Sequence, residues 1–251
     1  MIKLIRPEAP TQLTEQIIQS KVEEYKATGN SVWKEKYIID KLLQMSANKC
    51  CYCECDVTEE SKYMEVDHFH DKSDFPDEVV TWTNLLPSCK KCNGTKSDHN
   101  TLLEPIINPS IDKPQEHLYL KNNIRFRAKE NDDLGDITIC TLDLNNMERH
   151  IISRAKISQE IIAKIECLME RSELLISGEK TNTRFKNKLR NDVRELLELC
   201  QPTTPYSAVK ATTLTHDEYY MQLKNNLSKC GLWPKDFNEL EHLINEISYD
   251  V

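Results

Sequence analysis

Only five glycines occur in 251 residues, and no low-complexity linker or internal repeat breaks the chain. That scarcity argues against a string of domains on flexible tethers. No apolar run approaches the ~18 residues of a membrane span. The first residues, "MIKLIRPEAPTQ", lack the apolar stretch of a signal peptide. The expected location is therefore the cytoplasm, with no membrane partner. A general excess of positive charge is missing too. The formal net charge is -8, which excludes a uniformly basic nucleic-acid-binding protein.

Cysteine, by contrast, is plentiful: ten residues. The chain is too long, and at 39% hydrophobic too well supplied with core residues, to need a disulfide scaffold. Six of the ten crowd into "KCCYCEC" (49–55) and "SCKKC" (88–92). In a reducing compartment CxxC spacing reads as metal binding. Cys50 and Cys53 pair naturally with Cys89 and Cys92 as four tetrahedral thiolate ligands of a structural Zn²⁺. Cys51 and Cys55 leave a question of register, because either could enter a mixed set. The stretch between the pairs is longer than in a zinc ribbon, so something folded must lie there.

That stretch contains "MEVDHFHD" (64–71). Phosphodiester hydrolysis needs a base for water, a divalent cation and ligands for the cation. Asp67 offers a hard oxygen, and the Asn93 carbonyl offers another. A neutral histidine serves as base near neutral pH. His68 directly follows the aspartate. His70, two residues on, is a phosphate contact or a solvated side chain. Lys96 is a phosphate contact or a plain surface lysine.

Helical periodicity runs over 11–28 and 31–46, with Ser31 as a candidate cap of the second helix. Residues 2–6 read as a short strand, as do pieces within 62–69, 116–120, 124–128 and 136–142. Asn122-Asn123 reads as a hairpin turn. From about residue 145 the chain is helical. Met147, Ile151, Ile157, Ile161, Ile165 and Leu168 mark one amphipathic face; Phe185, Leu189, Val193, Leu196, Leu197 and Cys200 mark another. Residues 237–247 form a last helix. The expected fold is α+β and mainly helical, built around a small zinc-stabilised finger. The expected organisation is 1–48 packing on the finger, the finger at 49–104, an extension at 105–145 and a helical region at 146–251. Basic charge is local: six Lys or Arg against one Asp in 180–194, and four against none in 121–129. Lys186 and Arg190 are the candidate nucleic-acid contacts there.

The order Cys50, Cys53, "EVDH", Asn84, Cys89, Cys92, "NGTK" resembles the HNH nuclease family over roughly 49–100. The resemblance implies a ββα-metal finger with His68 as general base. It implies Asp67 and Asn93 as ligands of a catalytic Mg²⁺ or Mn²⁺, and Asn84 as the brace of the loop. Weaker motifs, "IKLIRPEAP", "NPSIDKPQEHLYL" and "TICTLDLNN", extend the match over about 150 residues. Together they resemble the nuclease subunits of Septu-type anti-phage systems, the PtuB family, retron-associated members included. That resemblance implies an ABC/SMC-like ATPase (PtuA-like) as partner and a nucleic acid, DNA or structured RNA, as substrate. A retron reverse transcriptase and its msDNA extend the implied partners. The alternatives are a zinc module that binds nucleic acid without cutting it and a stand-alone repair or restriction nuclease.

Overall fold

A computed structural model describes residues 1–59 and 63–251. The described chain divides into two compact units, residues 1–117 with 127–145 and residues 118–126 with 146–251.

The first unit begins with an extended segment rather than the expected strand at 2–6. Met1, Ile2 and Leu4 are buried, which accounts for the apolar pattern. The Leu4 N–H donates to the Pro109 carbonyl at 2.7 Å, but residues 1–10 join no ladder. Arg6 fastens the segment instead, donating to the carbonyls of Trp82 and Leu85 at 2.7 and 2.8 Å. Helix α1 (Glu15–Thr28) starts at Thr14, whose hydroxyl accepts from the Ile17 N–H. It stops at Gly29, where φ of 71° lets the N–H turn back to the Tyr25 carbonyl. Helix α2 (Lys36–Ser46) starts later than expected, and Glu35 rather than Ser31 is its N-cap. Val32 and Trp33 dive into the core first, so the chain cannot yet wind into a helix there.

Strands β1 (Met64–His68) and β2 (Leu85–Cys89) pair antiparallel, and helix α3 (Lys90–Lys96) follows at once. The expected strand at 62–69 thus forms over 64–68, and Lys62 lies outside the described residues. The register sets Asp67 opposite Leu86 and His68 opposite Leu85. Leu85 and Leu86 are fully buried, as are Ile38 and Leu42 of α2, which packs on this sheet. The polar C-terminal end of β1 is therefore carried on an apolar platform.

Helix α4 (Pro114–His117) leads into a hairpin of β3 (Leu118–Lys121) and β4 (Arg125–Ala128). Asn122 and Asn123 turn it, with φ of 54° and 61°. Those values fit a type I′ turn, whose twist matches that of the strands. Of residues 136–142, expected as a strand, 136–141 belong to helix α5 (Asp133–Thr141) and Leu142 is its C-cap. Its β-branched composition is overridden by the Asp132 cap, which accepts from the Gly135 N–H at 2.7 Å. Thr138 adds a bond inward, accepting from the Ile107 N–H at 2.7 Å.

In the second unit a π-helical turn (Met147–Ile151) opens α6 (Ile152–Ile176). Ile161, Ile165 and Leu168 face inward as expected, but Met147 is 53% exposed. The π turn shifts the helical phase by a residue and buries Arg154 and Ser158 instead. Arg154 stacks on Phe126 at 4.5 Å and donates to the Ile124 carbonyl. Helices α7 (Thr183–Leu199), α8 (Ser207–Thr215), α9 (Glu218–Lys229) and α10 (Lys235–Ile247) complete the bundle. Residues 201–234 carried no reading in the sequence. They hold α8, buried along Ser207–Leu214, and α9. No described helix is long and apolar enough to cross a membrane.

Candidate metal centre and active site

The four thiols of Cys50, Cys53, Cys89 and Cys92 converge, with every Sγ within 4.8 Å of the others. Two tight turns present them. In the first, the Lys49–Asp56 bridge closes a small loop, and the Cys50 N–H donates to the Cys55 carbonyl at 2.9 Å. In the second, Cys89 is the N-cap of α3, and its sulfur accepts from the Cys92 N–H at 3.4 Å. Such N–H···S bonds favour a thiolate. Four thiolates about 2.3 Å from one Zn²⁺ would lie roughly 3.8 Å apart. The Cys53 and Cys89 sulfurs are 3.8 Å apart. The chemistry and the spacing therefore fit a metal such as zinc. The four thiols in contact share their protons unevenly: their mutual contacts hold Cys50 and Cys89 below the usual thiol range and push Cys53 and Cys92 above it. Cys51 is outside the four, and its N–H anchors the turn to the Pro87 carbonyl at 2.8 Å.

A cleft of about 890 Å³ opens beside this cluster. Asp67, His68 and Asn93 all line it, with Glu65, Asp71, Trp33, Tyr25 and Tyr63. His68 is only 4% exposed. Its Nε2 lies 2.8 Å from the Val79 carbonyl, and Trp33 meets the ring edge-on at 4.6 Å. A carbonyl can only accept, so Nε2 carries the proton and Nδ1 is the basic nitrogen. Burial lowers the imidazole pKa, outweighing the Val79 bond and the Asp67 charge that oppose it. The ring is therefore neutral at neutral pH, as a general base must be.

Asn84 is buried and clasps the chain at His70 from both sides. Its Oδ1 accepts from the His70 N–H at 2.7 Å, and its Nδ2 donates to the His70 carbonyl at 3.0 Å. The Asn84 carbonyl also accepts from the Phe69 N–H. This fixes the segment that follows His68. Asn93, on α3, donates through Nδ2 to Glu65 at 2.8 Å, a bond that does not use its Oδ1.

Two sequence candidates sit differently from expectation. His70 does not line the cleft; its Nδ1 is 2.8 Å from Glu78, and a carboxylate there disfavours a phosphate. Lys96 is neither a surface lysine nor open to a phosphate. It is 2% exposed, with Nζ donating to Asp67 Oδ1 at 3.2 Å and to the His68 carbonyl at 2.7 Å. The other Asp67 oxygen accepts from the Tyr52 hydroxyl at 2.6 Å. Tyr52 escaped the sequence reading. Its position inside the CxxC turn was a usable signal, since a residue held between two ligands has a fixed direction. Lys186 and Arg190 lie half-exposed on α7 in the second unit, and among the described residues no ion pair engages either. Arg194, by contrast, is tied to Asp236.

A β–β–α finger closed by four thiols, with a carboxylate, an imidazole and an amide around one cleft, marks a thiol-clamped finger protein with a helical extension. Within that class the chain belongs to the Septu PtuB family. It is 40% identical over 241 residues, 96% of this chain and 92% of the relative, to the Septu protein PtuB of Bacillus thuringiensis. It is 24% identical over 225 residues to the Septu protein PtuB of Bacillus mycoides (strain KBAB4), covering 74% of this chain and 75% of that one. No family model matches the chain, and no solved structure matches it.

Proposed function

We propose that the protein is an HNH-type endonuclease, the nuclease subunit of a Septu anti-phage defence system. The observation that carries the reading is the convergence of Asp67, His68 and Asn93 on one cleft beside the thiol cluster. Their donor chemistry suits the reaction. Asp67 and Asn93 supply hard oxygens, which favour Mg²⁺ or Mn²⁺ over a thiophilic ion. Bound there, such an ion supplies charge neutralisation at the scissile phosphate. His68, neutral and with Nε2 committed to Val79, accepts the proton of the attacking water on Nδ1. Asn84 keeps the imidazole in place by holding the chain two residues further on. Zinc at Cys50, Cys53, Cys89 and Cys92 is structural.

The partner in this reading is an ABC/SMC-like, PtuA-like ATPase, joined in retron-associated systems by a reverse transcriptase and its msDNA. A chain of net charge -8 gains little from counterion release on its own, so a partner supplies much of the grip on nucleic acid. The test is cleavage of supercoiled plasmid and of tRNA, with Mg²⁺ or Mn²⁺, by the chain co-expressed with its operon neighbours. His68→Ala lowers the rate by about 10²–10⁴ with zinc content unchanged. A chain that binds nucleic acid but cuts neither substrate under any of these conditions is the non-catalytic zinc module instead. Full activity without any partner makes it a stand-alone nuclease.

A further inference from the structure

The Asp67 carboxylate is not an open ligand. Both oxygens have donors from within the chain, Lys96 Nζ on one and the Tyr52 hydroxyl on the other. The two donors differ in kind. Tyr52 is neutral and fully buried in the thiol-bearing turn. Lys96 brings a formal positive charge from the last turn of α3, and its side chain is 1% exposed. An ammonium in this position satisfies the two electrostatic demands of a buried carboxylate: a hydrogen bond and a counter-charge. A divalent ion on the same carboxylate satisfies both demands as well. Having both cations on one small group costs repulsion that falls away only with separation.

We propose that Lys96 is a resident counter-ion for Asp67, and that a divalent cation binds by displacing its ammonium from Asp67 Oδ1. The inference rests on the reading of Asp67 as a metal ligand. Lys96 retains a bond to the His68 carbonyl, so its displacement pivots the side chain without freeing it. Tyr52 keeps the second Asp67 oxygen in place throughout. Lys96 is thus a positioning residue. It holds the ligand in the lining of the cleft while no ion is bound, and it sets the concentration at which the ion enters.

The experiment measures Mn²⁺ affinity by electron paramagnetic resonance on the zinc-loaded protein and on its Asp67→Asn, Lys96→Met and Lys96→Gln variants. Lys96→Met is expected to bind Mn²⁺ about tenfold or more tightly, and its melting temperature to rise with Mn²⁺ more than the parent's does. Lys96→Gln serves if burying an uncompensated Asp67 prevents Lys96→Met from folding. In the parent itself, the Lys96 ammonium proton signal in NMR is expected to be protected without metal and to move on adding Mg²⁺. Equal Mn²⁺ affinity in the foldable Lys96 variant, or an unmoved ammonium signal at saturating Mg²⁺, overturns the displacement. Undiminished Mn²⁺ binding by Asp67→Asn overturns instead the assignment of Asp67 as ligand. The two failures are therefore read from different variants.

Discussion

Replacing Tyr52 by Phe removes one oxygen and keeps the ring that fills the core. The tyrosine is fully buried, and its hydroxyl gives Asp67 Oδ2 a 2.6 Å bond. Burial, and after it the Asp67 charge, push the phenol well above its usual range, so the hydroxyl is the donor at every workable pH. Hydrogen bonds to charged acceptors contribute about 1.5–3 kcal/mol, and Asp67 is 2% exposed, where water does not replace the donor. Tyr52→Phe is expected to cost that amount, a fall of roughly 3–12 °C in melting temperature for a chain of this size. A thermal or urea melt of zinc-loaded protein measures it. Asp67→Ala, which removes the acceptor, and the double variant complete a cycle that isolates the pair, with a coupling of about 1.5–3 kcal/mol expected. A single variant that melts within a degree of the parent, with coupling near zero, refutes the argument that Asp67 depends on this hydroxyl.

Cys92→Ser removes one ligand of four and is expected to abolish stoichiometric zinc and to unfold the finger, since ligand binding energy is folding energy there; zinc content and circular dichroism read both. Gly135→Ala is expected to destabilise by about 1–3 kcal/mol, because the new Cβ would lie 2.7 Å from the His117 carbonyl oxygen and 2.9 Å from Ala128 Cβ. Gly94→Ala meets nothing within 4 Å and is expected to stabilise α3 by up to about 1 kcal/mol in the same melt. Charge reversal at Lys186 and Arg190 is expected to weaken binding of labelled DNA or RNA by the intact complex and to flatten its salt dependence, leaving zinc content and melting unchanged.

The thiol cluster was legible because CxxC spacing is a local property: two turns, each fixed by its own backbone bonds, need little from the rest of the chain. The strand carrying Asp67 and His68 was legible for a similar reason, since polar and apolar residues alternate along Glu65–Asp67 with the period of a strand. Helices α1, α6 and α7 announced themselves by one-sided apolar spacing. Helix α8 could not, because Ser207–Leu214 are buried on every side and a helix without a wet face has no period to read. Residues 136–142 misled for the opposite reason: Ile137, Thr138, Ile139 and Thr141 have the composition of a strand, while Asp132 and Gly135 decide for a helix. The burial of Lys96 was beyond sequence reasoning. Lysine is almost never fully buried unless paired, and its partner stands 29 residues away in the chain.

Tyr52 lies between two of the cluster's own thiols, and this ties the cleft to the cluster. A newly made chain whose first turn has not closed does not hold the tyrosine ring in register, and without that ring Asp67 lacks the hydroxyl that fixes it. Closure of the thiol turn and the shape of the cleft are thereby coupled through one side chain. An ion bound at the thiols would thus act on the cleft as well, and a chelator that removes it is expected to disturb both.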